Sequence, residues 1–320
     1  MRRAVRAYRR AGADLPFTDP ARDHGATLEG YYWRVVDPAS ASVLVVLCGV
    51  CRRPRPAWAT VAVAGHPGGF VRHAVVRPAA GEPDRFGVSA AEVLRGSAHE
   101  LSARFDDETW VDLRFRAPVF WPRRSFGALG PAQAVPGLAQ YWYPVLVAAE
   151  ADGEACLGGE RRVLSGARAY AEKNWGPGFP QDWWWGHADA FPAGDVTVAF
   201  AGGRLNVAGE VVSPTALVVR LDGLVLRFAP PLARMRVAAT ARGSRIRARS
   251  LRHSVEVEGD ATHGPPHVLP VPDVSTGEVE MRSRQHLAGR LRLRVTRGAR
   301  TLFDGESPLA GLERGAPAGT

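Results

Sequence analysis

The chain has 320 residues, 46% hydrophobic and 23% charged, the profile of a folded globular protein rather than a disordered one. No run approaches the ~18 apolar residues of a membrane-spanning helix. Three cysteines in so long a chain exclude a disulfide framework, and the Arg-rich N-terminus has no apolar stretch behind it, so a reducing, cytoplasmic compartment is expected. The net charge of +9 comes from 40 Arg and a single Lys, Lys173, against 32 acidic residues. With abundant Ala, Gly and Pro, that ratio reads as coding bias, and nucleic acid is not expected as a partner.

Strand signals fill the chain. Tyr31, Trp33 and Val35 alternate with Tyr32, Arg34 and Val36, and Ser42–Val50 reads as a buried strand. Further strands are predicted over Trp58–Ala64, Phe70–Arg77, Ala98–Phe105, Thr109–Arg116, Tyr141–Ala149, Ala155–Leu164 and Arg168–Trp175. The second half adds Trp184–Phe191, Val196–Phe200, Thr215–Leu221, Leu224–Phe228, Arg234–Ala241, Ser244–Leu251, Ser254–Glu258, Gly289–Thr296 and Arg300–Phe303. One short helix is predicted over Ser89–Leu94, where Ser89 and Glu92 have the spacing of a capping box. Ala117–Gly137 and Gly259–Val274 read as irregular. Many short strands with few helices point to sandwiches or barrels and away from Rossmann or TIM architecture.

Familiar catalytic signatures are missing. The chain has no G-x-S-x-G, no phosphate-binding G-x-x-x-x-G-K and no G-x-G-x-x-G after a strand. Cys48 and Cys51 form a lone C-x-x-C whose side chains alternate across a strand, so no metal site is expected there. His263 and His267 lie in a Pro-rich stretch, not on one face of a helix. Arg245, Arg247 and Arg249, and again Arg290, Arg292 and Arg294, sit at period-2 spacing. Without interleaved aromatics they read as solvated strand faces rather than an RNA-binding sheet. Such a face also suits peripheral contact with an anionic membrane.

The densest chemistry runs from Tyr170 to Asp189, which holds four of the nine Trp residues and the sole Lys. In strand geometry Tyr170, Glu172 and Asn174 share one face, and Lys173 and Trp175 the other. After a Gly176-Pro177-Gly178 turn, Trp183, Trp185, His187 and Asp189 line one face, opposite Trp184, Gly186 and Ala188. Ionisable groups set among aromatics must be paired if buried, and such settings shift pKa values. A Lys retained where Arg is otherwise universal fits a position that needs a compact ammonium.

At these residues the chain resembles the tocopherol cyclase family. The resemblance rests on Tyr170-Ala171-Glu172-Lys173-Asn174-Trp175-Gly176, Phe179-Pro180, Trp183 and Trp185. Weaker landmarks are Leu28-Glu29-Gly30-Tyr31-Tyr32-Trp33, Ala128-Leu129-Gly130-Pro131 and Ala310-Gly311-Leu312-Glu313. The chain departs from the pattern at Gly186-His187-Ala188-Asp189, where plant members carry a Gln-Cys-Asn run.

The resemblance implies an all-β fold of two lipocalin-like barrel halves. It divides the chain into a basic arm over 1–24, a first β domain over 25–164 and a second over 165–314 with the Glu-Lys-Asn-Trp motif at its start. It also implies cyclase chemistry without cofactor or metal. An alkene of a prenylated quinol is protonated, and the phenol oxygen captures the cation to form a chromanol. On that reading Glu172 or Asp189 is the acid, and Lys173 is catalytic or pairs with a carboxylate across strands. Tyr170, Asn174, Trp175, Trp183, Trp185 and His187 surround the hydrophobic substrate. The alternatives are a carrier of a hydrophobic small molecule and another cofactor-free cyclase or hydratase, such as a carotenoid hydratase.

Overall fold

The computed structural model describes residues 2–15, 19–122, 127–207 and 210–315. Contacts divide the chain into two units, 1–127 with 133–179 and 269–281, and 128–132 with 180–268 and 282–320. A helix α1 (Arg2–Arg10) precedes the strands. No described helix is long and apolar enough to cross a membrane.

The first unit is built on an eleven-stranded antiparallel sheet, nearly closed into a barrel. Its strands are β1 (Leu28–Asp37), β2 (Ser42–Cys51), β3 (Trp58–His66), β4 (Phe70–Val76), β5 (Ala79–Gly81) and β6 (Gly87–Ala90). They continue as β7 (Leu94–Ser97), β8 (Glu100–Arg104), β9 (Thr109–Phe120), β10 (Tyr141–Leu157) and β11 (Glu160–Gly176). The order is β4-β3-β2-β1-β11-β10-β9-β8-β7-β6-β5, so the first strand lies against the last. Sheet curvature brings Trp33 of β1 to β7, where its indole donates to Ser97 O at 2.9 Å and its ring fills the space over Gly96.

The second unit repeats the plan. Its strands are β12 (Trp183–Ala188), β13 (Val196–Gly203), β14 (Leu205–Val207), β15 (Glu210–Val212), β16 (Thr215–Leu221) and β17 (Leu224–Phe228). There follow β18 (Arg234–Thr240), β19 (Gly243–Arg249), β20 (His253–Asp260), β21 (His267–Asp273), β22 (Glu278–Arg297) and β23 (Arg300–Gly315), of which residues 269–281, in β21 and the start of β22, belong to the first unit. The main sheet runs β17-β16-β13-β12-β23-β22-β20-β19-β18, again with its first strand against its last. Trp184, Phe200, Phe228, Ile246, Val257 and Leu293 belong to its core. The alternating Arg residues of β19 and β22 point to solvent and meet acidic partners, such as Arg245 with Glu258 at 3.0 Å and Arg292 with Asp304 at 3.1 Å.

Three local expectations are corrected. Ser89–Leu94 is not helical: Ala90 ends β6, Ala91 turns with φ 47°, and Leu94 begins β7. One turn of capping signal is too short to nucleate a helix against a competing hairpin. Ala155–Leu164 is not one strand, because Gly158 and Gly159, both at positive φ, turn the chain between β10 and β11. β11 is therefore an inner strand of the first sheet, and the Glu-Lys-Asn-Trp motif lies in the first unit rather than at the start of a second domain. The stretch Gly259–Val274, read as irregular, contains β21, which pairs with β22. The irregular reading of Ala117–Gly137 holds from 121 onward, past the end of β9 and apart from a 3-10 turn at Gly130–Ala134, although residues 123–126 lie outside those described.

The N-terminal segment is tied into the first unit by a buried ionic cluster. Lys173 Nζ is fully buried and lies 2.8 Å from Glu29 Oε2. It also donates to Arg22 O at 2.6 Å and Ala21 O at 3.3 Å, and it sits 3.4 Å from His24 Nδ1. Glu29 Oε1 accepts the backbone N–H groups of His24 and Gly25 at 3.0 and 2.9 Å. His24 Nε2 lies 3.2 Å from Asp14 Oδ2, and its ring stacks on Trp175 at 4.0 Å. The Trp175 indole in turn donates to Gly12 O. Burial alone would raise the Glu29 carboxyl, but the Lys173 charge, together with hydrogen bonds from Asp23 and Lys173 and the neighbouring His24, holds the group below the usual carboxylate range. Burial first, then Lys173, push His24 down to about 4. His24 is thus neutral, its Nε2–H donating to Asp14 while Nδ1 accepts from the ammonium.

Two predictions follow from this cluster. In the unfolded chain His24 takes a proton near its ordinary 6.5, whereas the folded chain resists it down to about 4. Stability is therefore full above pH 6.5 and falls by about 3 kcal/mol as pH drops to 4, a loss that Glu29 deepens below that. Urea denaturation across this range should show the slope, and His24→Gln should flatten it. Removing one partner of a buried pair costs about 3–5 kcal/mol. Lys173→Met should lose that much, and Lys173→Arg should also destabilise, because a planar guanidinium does not fit a tetrahedral set of acceptors. An Arg variant as stable as the parent chain would contradict this reading of the site.

Candidate functional site

Closure of each sheet leaves the joining strands covered on both sides. Every residue of β1 but the last is buried, as is every residue of β12. One face serves the packing already described, and the other carries the ionisable groups.

In the first unit that second face is formed by β1, β11 and β10. Tyr170 and Glu172, two residues apart on β11, point the same way. The Tyr170 hydroxyl donates to Glu172 Oε2 at 2.6 Å, and the Trp142 indole donates to the same oxygen at 2.7 Å. Tyr32 pairs with Glu172 across β1, and all four side chains are buried. Burial, then the Glu172 charge, push the Tyr170 phenol well above its ordinary range, so it stays a proton donor. Asn174 shares the face, and its Oδ1 accepts from Gln140 Nε2 at 2.9 Å. It lies against Gly30, where a Cβ would come within 2.4 Å of that oxygen.

Lys173 and Trp175 are on the opposite side of β11, as alternation predicts. Lys173 pairs with a carboxylate of the neighbouring strand, Glu29 of β1. Trp175 is packed between His24 and Tyr141, with ring centroids at 4.0 and 5.7 Å, and so anchors the N-terminal segment.

In the second unit Trp184 and Ala188 face the core, while Trp183, Trp185 and His187 share the other face. The Trp185 and His187 rings lie 6.2 Å apart and nearly parallel. Asp189 stands one residue past the end of β12 and is buried. Small residues flank this face, with Ala199 opposite His187, Ala201 opposite Trp185, and Gly311 and Gly315 on β23. Glu313 on β23 pairs with Trp185 on one side and with the buried Gln285 on the other. Its Oε1 accepts the Trp183 indole at 2.6 Å. Burial raises the Glu313 carboxyl above its ordinary range, and hydrogen bonds from Trp183 and Ser283 offset this only in part.

Sequence reasoning did not identify Trp142, Tyr32 or Gln285 as site residues, and it gave Glu313 no role. The aromatic run Tyr141-Trp142-Tyr143 was a local hint, but the partnership with Glu172 depends on pairing across 30 residues. Among the described residues, no group of three or more His, Cys, Asp and Glu side chains is arranged to hold a metal ion.

Two curated plant proteins are similar to this chain. The chloroplastic tocopherol cyclase of Zea mays is 29% identical over 111 residues, 33% of this chain and 23% of the maize protein. A probable chloroplastic tocopherol cyclase of Oryza sativa subsp. japonica is 26% identical over 193 residues, 57% of this chain and 41% of the rice protein. The match thus spans less than half of either relative. Among solved structures, CghA aligns with a TM-score of 0.57 at 13% identity, covering 92% of this chain and 89% of its own. Kievitone hydratase from Nectria haematococca aligns at 0.51 and 10% identity, covering 90% and 88%. At such identities these two likenesses show a shared fold. The family model described as tocopherol cyclase-like matches residues 57–316, a span that takes in both Glu172 and Glu313. On that match, the chain belongs to the tocopherol cyclase-like family.

Proposed function

We propose that this protein is a cyclase- or hydratase-like enzyme that protonates an alkene of an apolar, prenylated phenol and closes a chromanol ring. The observation that carries the reading is the buried Glu172, held by the Tyr170 hydroxyl and the Trp142 indole. A hydrophobic small molecule is the substrate class.

The chemistry balances without an external reagent. A carboxylic acid gives its proton to the less substituted alkene carbon, the π electrons form the new C–H bond, and a tertiary cation results. The phenol oxygen attacks that carbon and its proton leaves to a base. The product is an isomer of the substrate. Glu172 fits the phenol side of this sequence, as the acceptor of the phenolic proton, while Tyr170 and Asn174 orient the oxygen. As an alternative within the second unit alone, Trp183 and Trp185 offer π surface to a cation, and His187 and Asp189 place ionisable groups beside them. Burial of either face limits capture of the cation by water.

The experiment is incubation of the protein with a prenylated hydroquinone, followed by mass spectrometry of the product. A chromanol is expected. A tertiary alcohol would reassign the protein as a hydratase, and recovery of unchanged bound ligand as a carrier. Glu172→Gln should lower turnover by about 10²–10⁴-fold, with circular dichroism confirming the fold, and Asp189→Asn should be assayed beside it. Full activity in both variants would contradict the carboxyl assignment.

A further inference from the structure

The second unit contains a carboxyl that the reaction scheme has not used. Glu313 sits in the middle of the ionisable face, between Trp185 of β12 and Gln285 of β22, directly opposite both. Trp183 lies beside Trp185 on the same face, and its indole N–H is 2.6 Å from Glu313 Oε1. An indole is a donor only. It makes Oε1 an accepting oxygen, while Ser283 faces the same carboxyl. Arg282 lies over the Trp183 ring at 4.9 Å and donates to Pro180 O at 3.3 Å and Gln181 O at 3.4 Å. Burial keeps the carboxyl above its ordinary range.

Topology reinforces the assignment. Glu172 lies on the closing strand of the first sheet and pairs with Tyr32 of the opening strand. Glu313 lies on the closing strand of the second and pairs with Trp185 of its opening strand. Each accepts a Trp indole. The first also accepts a phenol; the second faces Ser283 as well as Trp183, and burial still keeps its carboxyl above the ordinary range. Asp189, the other carboxyl near this face, stands beyond the end of β12.

We infer that Glu313 is a neutral carboxylic acid that donates its proton to the substrate alkene, the aromatic faces of Trp183 and Trp185 then stabilising the cation. The inference rests on the prenylated-phenol reading above. Its O–H bond breaks as the new C–H bond forms, and the O–H electron pair stays on Glu313 as carboxylate. The phenol releases one proton on ring closure, so the net proton count is zero, and Glu313 is recharged from solvent.

The test uses two unreactive ligands, a prenylated hydroquinone with a tertiary amine nitrogen in place of the reacting carbon and its saturated carbon counterpart. Calorimetry in buffers of different ionisation enthalpy counts the protons exchanged on binding. A protonated amine that meets a neutral Glu313 should expel about one proton and bind at least about tenfold more tightly than the carbon ligand. Glu313→Gln should bind the carbon ligand as the parent protein does, which shows that it is folded, and should lose both the proton release and the preference. If the variant does not bind the carbon ligand, proton release in the parent protein decides alone. No proton release by the parent protein, or a preference that survives in Glu313→Gln, overturns the role of Glu313. Failure of both ligands to bind the parent protein instead overturns the prenylated-phenol reading, and the inference with it.

Discussion

In each unit the first strand of the sheet hydrogen-bonds to the last, and the site chemistry depends on that closure. Joining β1 to β11 and β12 to β23 produces strands covered on both faces, in which every polar group must find a partner. The apolar face goes to the core. The other face can hold carboxyls only if donors reach them, and indole and phenol groups from neighbouring strands supply these. Glu172 and Glu313 are placed by the same rule at corresponding positions of two sheets.

Alternation along β11 lets one strand do two jobs. Glu172 works with Tyr170 on one side, while Lys173 and Trp175 hold the N-terminal segment on the other. The single Lys in a chain of Arg now has a physical reason. Its ammonium is ringed by a carboxylate, two backbone carbonyls and an imidazole nitrogen, and it lies 5.0 Å from the Tyr31 ring. A compact tetrahedral donor fits that setting and a planar fork does not. The lock holds the strand that carries the site.

Much of this was legible in the sequence because strand periodicity is local. The all-β class, the division of Tyr170, Glu172 and Asn174 from Lys173 and Trp175, and the common face of Trp183, Trp185 and His187 all follow from period 2. What was hidden depends on distant pairing. Register between β10 and β11 sets Trp142 on Glu172, and register between β12 and β23 sets Trp183 on Glu313. No local pattern specifies either. The Gly158-Gly159 turn was visible as residues, but the apolar run around it outweighed it, and this displaced the domain boundary. Glu29 was noticed as part of a strand start, and its role appeared only once β1 was set beside β11.

The central claim is that a proton from the protein, and ultimately from solvent, initiates ring closure. Turnover of a prenylated hydroquinone in deuterium oxide tests it most directly. The account predicts a chromanol carrying about one non-exchangeable deuterium, located on the carbon next to the newly formed C–O carbon. A chromanol with no deuterium there would contradict it.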